Sequence, residues 1–384
     1  MKFKGSLISY FSSKAQKEGA INLAQGRPKY SPPEKLIEIL KCLIKDKNLH
    51  QYAPGKGDFL LIKETLKIYK KYYDDLSEEN ILIVQGATEG LTLSFHFLKK
   101  KFKENFSVLS FEPFYESWPK LSKIFNIPLY SVEINPFDLK WDLNKVEKII
   151  FEKNVKGIIL ASPGNPLGKI WKKEEIDFLI DLVKNNKGYL IFDGVYENLY
   201  FNEKPYIPLM NGLKNLIFVS SYSKTLSCTG WRVGYCLSGK KEIDLISSIH
   251  DLKDLSAPYL FQRAIAEYLK KEDLEKFLNF LRSKLKKSYN YLKKGFEKSN
   301  IKVSKAEGGM FGWVEIKDDC LEFANNLFDK KKVAVVPGIN FSKKAKNFIR
   351  VNLSLPFDLF KRGINKIEEF LNEDRSCCCF YKKR

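Results

Sequence analysis

The chain has 384 residues, 44% of them hydrophobic and 29% charged, an ordinary globular composition with length for two domains and a large core. No apolar run approaches the ~18 residues of a membrane span, and the start, MKFKGSLISYFSSK, lacks the apolar stretch and cleavage site of a secretory signal. The net charge of +20 raises nucleic acid or an anionic membrane as partners, but the basic residues are spread along the chain and interleaved with Glu, and no nucleic-acid-binding motif appears, so neither is expected.

Residues 1–20 read as an amphipathic arm, and 21–31, INLAQGRPKYS, as a short strand and a turn. Ser31-Pro-Pro-Glu is expected to open a helix with Ser31 as its N-cap. A glycine-rich loop, HQYAPGKG (50–57), precedes a helix over 58–73. ILIVQG (81–86) is a buried-type strand that runs into the helical pattern ATEGLTLSFHFLKKKF. Further strands follow at VLSFEPFY (108–115), GIILASPGNPLG (157–168), YLIFDGVYENLYF (189–201) and LIFVSSYSK (216–224), with helical patterns between most of them. Such alternation means an α/β fold with a mostly parallel sheet flanked by helices. After residue 280 a basic amphipathic helix, 281–298, leads into IKVSKAEGGMFGWVEI, VAVVPG and NFIRVNLS, strands of a smaller α+β unit.

Ligands sit beyond the carboxyl ends of such strands. After 81–86 comes Gly86-Ala87-Thr88-Glu89-Gly90, where a glycine and a hydroxyl at a helix start make either a phosphate site or a plain helix cap. SPGNPLGK (162–169) is one residue short of a phosphate-binding Walker loop and is not one. Asp193 ends an apolar strand, where a carboxylate is costly unless paired. In SSYSKTLSCTGWRVGY (220–235), Lys224 sits among hydroxyls eight residues before Arg232. Hydroxyls and a cation suit a phosphate, and a lysine with a depressed pKa suits an imine with an aldehyde cofactor. Only eight of the 66 basic residues are Arg, so Arg232 and the strand-interior Arg350 mark places where a planar fork is needed. His50, His96 and His250 lie apart without ligand spacing, so no metal site is expected.

These motifs, in order from about residue 21 to 355, resemble the class I/II (fold type I) pyridoxal-phosphate-dependent aminotransferases. The resemblance implies pyridoxal 5'-phosphate as cofactor, with Lys224 as Schiff-base lysine and proton shuttle. It implies phosphate contacts from Ala87, Thr88, Ser221 and Arg232, and a ring stacked on the cofactor from Tyr115. Asn165 would reach the ring's oxygen and the substrate carboxylate, Asp193 the pyridine nitrogen, and Tyr196 the phenolic oxygen. Gly26 would lie beside the substrate and Arg350 would fork onto its α-carboxylate. Tyr52 would reach the phosphate of the other subunit of a homodimer. Gly90 stands where the family often has Ala.

The activity so implied is transfer of an amino group from an L-amino acid to a 2-oxo acid by a ping-pong mechanism. A C–S β-lyase would share the same residues, and a non-catalytic basic nucleic-acid or membrane-binding protein is the alternative of another class. The loops QGRP and QYAPGKG look most like the branch that handles methionine, aromatic amino acids and kynurenine. Arg27 departs from that branch: it is expected to be solvent-exposed, and facing the pocket it would favour an acidic side chain. The expected organisation is 1–40 as arm and part of the small domain, 41–275 as the large cofactor-binding domain, 276–370 as the small domain and 371–384 as a disordered tail. The seven cysteines, Cys42, Cys228, Cys236, Cys320 and Cys377 to Cys379, are odd in number and unpaired in spacing, which points to a reducing, cytoplasmic setting.

Overall fold

The computed structural model describes residues 5–380, with side chains to Glu373. The arm residues Leu7–Lys17 form a helix, and β1 (Ile21–Asn22) follows. The apolar runs become β2 (Ile81–Val84), β3 (Ser107–Glu112), β4 (Leu129–Glu133), β5 (Val155–Ala161), β6 (Tyr189–Asp193), β7 (Leu216–Ser221) and β8 (Gly234–Leu237). They join in one seven-stranded sheet of order β2-β8-β7-β6-β5-β3-β4.

Only β8 runs against the others, pairing antiparallel with both β2 and β7. The carboxyl ends of the remaining strands therefore share one edge. β8 begins at that same edge, because Gly234 pairs with both Val84 and Ser221. Strand alternation fills a core on each face. Ile81, Ile83, Leu160, Phe192 and Phe218 point to one side, and Leu82, Val84, Ile159, Ile191 and Val219 to the other. The second face is covered by helix Ala87–Phe102 and helix Lys240–Lys253.

A second, three-stranded sheet joins β9 (Phe311–Glu315), β11 (Val336–Pro337) and β12 (Phe348–Asn352), while β10 (Val333–Ala334) pairs in parallel with β1. The start of the chain is thus tied to its last third. Arg350 sits on β12 opposite Trp313 and Val336.

The structure corrects three details. Ser31 is not an N-cap: the helix starts at Glu34 behind Pro33, which is extended at φ −50, ψ 135. A proline disfavours helical backbone in the residue before it, so the Pro32-Pro33 pair holds Ser31 and Pro32 outside the helix. The final helix runs from Phe357 to Phe380, into the stretch expected to be disordered. Its buried stripe of Phe360, Ile364, Ile367 and Phe370 anchors it, and helix propagation needs only one bond per added residue; residues 381–384 lie outside the described residues. Strands β4 and β8 escaped the sequence reading: β4 is mostly half-buried rather than an apolar run, and β8 overlaps the stretch 220–235 that was read for Lys224 and Arg232.

Gly90 has a packing reason. A Cβ there would stand 2.7 Å from Val219 Cγ1 and 2.9 Å from Cys236 Sγ. The helix that begins at Ala87 is therefore drawn against β7 and β8 more closely than alanine allows. Gly90→Ala is expected to destabilise by about 1–3 kcal/mol through overpacking. In a Val219→Ala background the same substitution is expected to cost less, which a double-mutant cycle by chemical denaturation measures. Equal costs in both backgrounds would remove the steric explanation.

Candidate active site

At the shared strand edge lies a cavity of about 420 Å³. Its wall contains Gly26, Ala87, Thr88, Tyr115, Asn165, Asp193, Tyr196, Ser221, Lys224, Arg232 and Arg350. Every site residue expected from sequence is therefore gathered there except Tyr52. The topology explains this convergence: the loops after β2, β3, β5, β6 and β7, and the entry to β8, all open on one edge.

One corner is suited to a phosphate. Helix Ala87–Phe102 opens at Gly86 without a side-chain cap, so its first amides and its positive dipole end are available at the cavity wall. Ser221 Oγ is buried without a hydrogen-bond partner, and such an orphan is costly unless something else satisfies it. Arg232 is in the left-handed region, φ 54, with Nη1 donating to Thr229 O at 3.0 Å and Nη2 to Gln85 O at 2.9 Å. Gly86, at φ 78, lets the guanidinium in: a Cβ there would come 2.5 Å from Arg232 Nη2. A capless helix, an orphan hydroxyl and a guanidinium held only by carbonyls form a cradle for a phosphate dianion.

Lys224 lies deeper. Its Nζ donates to Gly26 O at 2.6 Å. Burial, reinforced by the charges of Arg350 and Arg232, lowers its pKa to about 8. Asp193 ends β6 fully enclosed, and its carboxylate accepts one described hydrogen bond, from Val195 N at 3.1 Å. Burial pushes Asp193 up to about 7, against the pull of that N–H and of Lys224. A carboxylate so placed favours a cation or an N–H beside it. Burial also pushes the Tyr196 phenol well above its usual range, with Arg350 pulling the other way.

Arg350 is fully buried. Nη1 donates to Asn165 Oδ1 at 3.0 Å and Nη2 to Ala24 O at 2.6 Å, while Nε has no partner. Its guanidinium lies 4.0 Å from the Phe311 ring centroid and 4.8 Å from that of Phe341. Burial lowers its pKa to about 10. A desolvated fork with neutral acceptors is prepared for a carboxylate.

Tyr52 is 78% exposed and outside the cavity of its own chain. Arg27 lines the cavity and is also exposed. The sequence reading missed Gln25, Glu116 and Phe311, which also line the wall. Glu116 follows Tyr115 directly and accepts from Ser6 Oγ at 2.6 Å. It also missed Glu197, buried one residue after Tyr196, which binds the Tyr69 hydroxyl and Ser220 Oγ, the latter at 2.9 Å. The signal was present, since Glu197 lies in the same apolar run that singled out Asp193. Among the described residues no group of His, Cys, Asp and Glu could hold a metal, and no helix is long and apolar enough to cross a membrane.

The profile of the family described as "Aminotransferase class I and II" matches residues 18–367. The chain is 28% identical over 371 residues to the (5-formylfuran-3-yl)methyl phosphate transaminase of Methanocaldococcus jannaschii, covering 95% of this chain and 96% of that protein. It is 27% identical over 364 residues to the aspartate aminotransferase of Thermotoga maritima, covering 92% of each. A crystal structure of aspartate aminotransferase from Thermotoga maritima superposes with a TM-score of 0.87 at 26% identity, over 96% of this chain and 98% of that one.

The burial of Lys224 carries a stability penalty with a defined pH window. Its folded pKa, about 8, lies below the ordinary 10.5. The penalty is therefore full below pH 8 and disappears as pH rises through 10.5, amounting to about 3 kcal/mol at most by linkage. Cofactor-free Lys224→Met is expected to unfold at higher denaturant concentration than the cofactor-free parent at pH 7. The gap should narrow by pH 9.5, and a pH-independent gap would show that the ammonium is not desolvated.

Proposed function

The chain belongs to the class I and II aminotransferase family and is a pyridoxal-phosphate-dependent transaminase, and we propose that Lys224 carries the cofactor and that the reaction is ping-pong. The observation that carries this reading is the meeting of Lys224, Asp193, the phosphate cradle and the Arg350 fork in one cavity. When bound, pyridoxal phosphate supplies an aldehyde and an electron-withdrawing ring that makes the α-proton of an attached amino acid labile.

The residues then have separate tasks. Ala87, Thr88, Ser221 and Arg232 would hold the phosphate, and Tyr115 would stack on the ring. Asp193 would keep a proton on the ring nitrogen, and the cation so formed would in turn hold Asp193 ionised. Asn165 and Tyr196 would donate to the ring oxygen. Arg350 binds the substrate α-carboxylate by exchanging its contacts with Asn165 and Ala24 for two charge-assisted ones, beside the backbone of Gly26. The entering substrate amine would displace that of Lys224, and the freed Lys224, held below the usual ammonium range by its burial, would take the α-proton and return it one atom away. The first 2-oxo acid leaves before the second enters, and the same residues run the reverse half-reaction.

We propose residues 41–275 as the cofactor-bearing domain and 276–370 with 1–40 as the second, a division supported by the pairing of β1 with β10. A cytoplasmic location is proposed on the cysteine pattern, with Cys42, Cys228, Cys236 and Cys320 as free thiols. Borohydride treatment of the loaded protein followed by peptide mapping is expected to leave the cofactor attached to Lys224. Attachment to another lysine would overturn the assignment.

We also propose a homodimer in which Tyr52 serves the partner's cavity. The exposure of Tyr52, outside the cavity of its own chain, supports this reading. Two inactive parents, Lys224→Ala and Tyr52→Asp, separate the cases. If Tyr52 acts across the interface, a mixed dimer has one site with both defects and one with neither. Mixing after reversible dissociation should then restore activity, up to about half that of a normal dimer. Verified mixed dimers without activity would remove the crossing assignment.

A further inference from the structure

Once the inner wall is assigned to cofactor and α-carboxylate, the part left for the substrate side chain includes Ser6, Ile8, Ser9, Gln25, Arg27 and Glu116. Ile8 is the one apolar side chain among these, and Leu91, Val195 and Phe311 add apolar surface elsewhere in the wall. A large apolar substrate would have to cover hydroxyls, an amide and charges there without replacing their water, which is costly. The mouth is therefore matched to a polar group, and the sign of the free charge decides which kind. Glu116 is already engaged: Ser6 Oγ donates to one oxygen at 2.6 Å and Lys120 Nζ to the other at 2.7 Å. Its charge is locally offset.

Arg27 differs. Asn352 Nδ2 and Ser354 Oγ, both 3.1 Å away, bind its backbone carbonyl and pin the residue from the side of the 350s segment. Among the described residues no carboxylate pairs with Arg27 or with nearby Lys29. Lys29 is held below the usual ammonium range by its burial and by the charge of Arg27, as expected of two unneutralised cations. The other guanidinium groups of described inner residues have acceptors: Arg232 and Arg350 as above, Arg263 on Asp58 and Arg282 on Glu275. Arg362 is exposed on the final helix. In a chain with eight Arg among 66 basic residues, an Arg without an acceptor at the substrate mouth has its acceptor still to come.

We propose that Arg27 is a specificity-determining residue that selects substrates whose side chain ends in an anion, carboxylate or phosphate; this rests on the transaminase reading above. The selecting contact forms at a hydrated mouth, so its effect is about tenfold rather than thousandfold, and salt screens it.

The test uses the cofactor-loaded enzyme and near-isosteric donor pairs, glutamate against glutamine and O-phosphoserine against serine, read as kcat/KM of the first half-reaction. The parent is expected to prefer the charged member of at least one pair by about tenfold or more, and which pair shows it identifies the anion. Arg27→Gln should bring that ratio near one, Arg27→Lys should keep part of it, and added salt should reduce it in the parent. An independent binding readout is glutarate against pentanoate, followed through the cofactor's absorbance, with glutarate losing its advantage in Arg27→Gln. A parent that prefers the neutral members, or a ratio unchanged in Arg27→Gln, overturns the proposal while leaving the transaminase reading intact. A parent that transaminates no donor at all overturns the reading beneath it.

Discussion

Three cationic side chains, Lys224, Arg232 and Arg350, converge on one cavity that offers a single buried carboxylate, Asp193. Buried cations ordinarily recruit acids. Here their hydrogen bonds go instead to the neutral carbonyls of Gly26, Gln85, Thr229 and Ala24 and to the Asn165 amide oxygen. The choice has a chemical consequence. A carboxylate would bind these cations permanently, whereas a carbonyl dipole stabilises them and yields to an incoming anion. The site is electrostatically incomplete by construction, and the phosphate and substrate carboxylate proposed above would complete it.

That incompleteness is sustained by what stands behind it. Ala24 and Gly26 follow β1, Gln85 follows β2 and Thr229 lies between β7 and β8, so each carbonyl acceptor sits within five residues of a paired strand. A second buried cluster holds two of the active loops together. Glu197, beside Tyr196, accepts from Tyr69 and from Ser220, and Ser220 Oγ also reaches Gly194 O at 3.2 Å, one residue past Asp193. Tyr69 and Tyr235 hydroxyls lie 2.7 Å apart in the same cluster. Burial pushes Glu197 up to about 7, opposed by its hydroxyl donors. The loops that carry Asp193 and Lys224 are thus joined through a polar network inside the core. Its members are satisfied, and such networks fix geometry as well as adding stability.

How far the sequence revealed all this depended on the range of the physics involved. Strand-end chemistry was legible, because a carboxylate ending YLIFD or a lysine after LIFVSSYS breaks a local apolar pattern. The parallel order followed from alternation of strands and helices. What was not legible was long-range or lacked a clean apolar run. Strand β4 is mostly half-buried, β8 overlaps the stretch read for Lys224 and Arg232, and Phe311, which packs against Arg350, looks like any core aromatic. The Ser6–Glu116 contact joins residues 110 positions apart. Glu197 was overlooked for a different reason: an acid in an apolar run was treated as evidence once, at Asp193, and the same argument four residues later was left unused.

The scarcity of Arg can be followed to its physical end. A solvated charge needs no fork, and a lysine serves it at lower geometric demand, which accounts for the Lys-rich surface. The Arg residues kept inside all bridge more than one acceptor or segment. Arg350 spans Asn165 and Ala24, Arg232 spans Thr229 and Gln85, and Arg282 reaches Asn198 O as well as Glu275 and Asn279. Arg263 holds Asp58, which also caps the helix over 59–70 through Leu61 N at 3.1 Å. Each is a junction between parts of the chain distant in sequence, and an ammonium group, lacking a rigid fork, would set the angle between those parts less firmly. In this molecule the choice between two residues of equal charge is therefore a choice about geometry, made where the fold or the substrate must be held in one orientation.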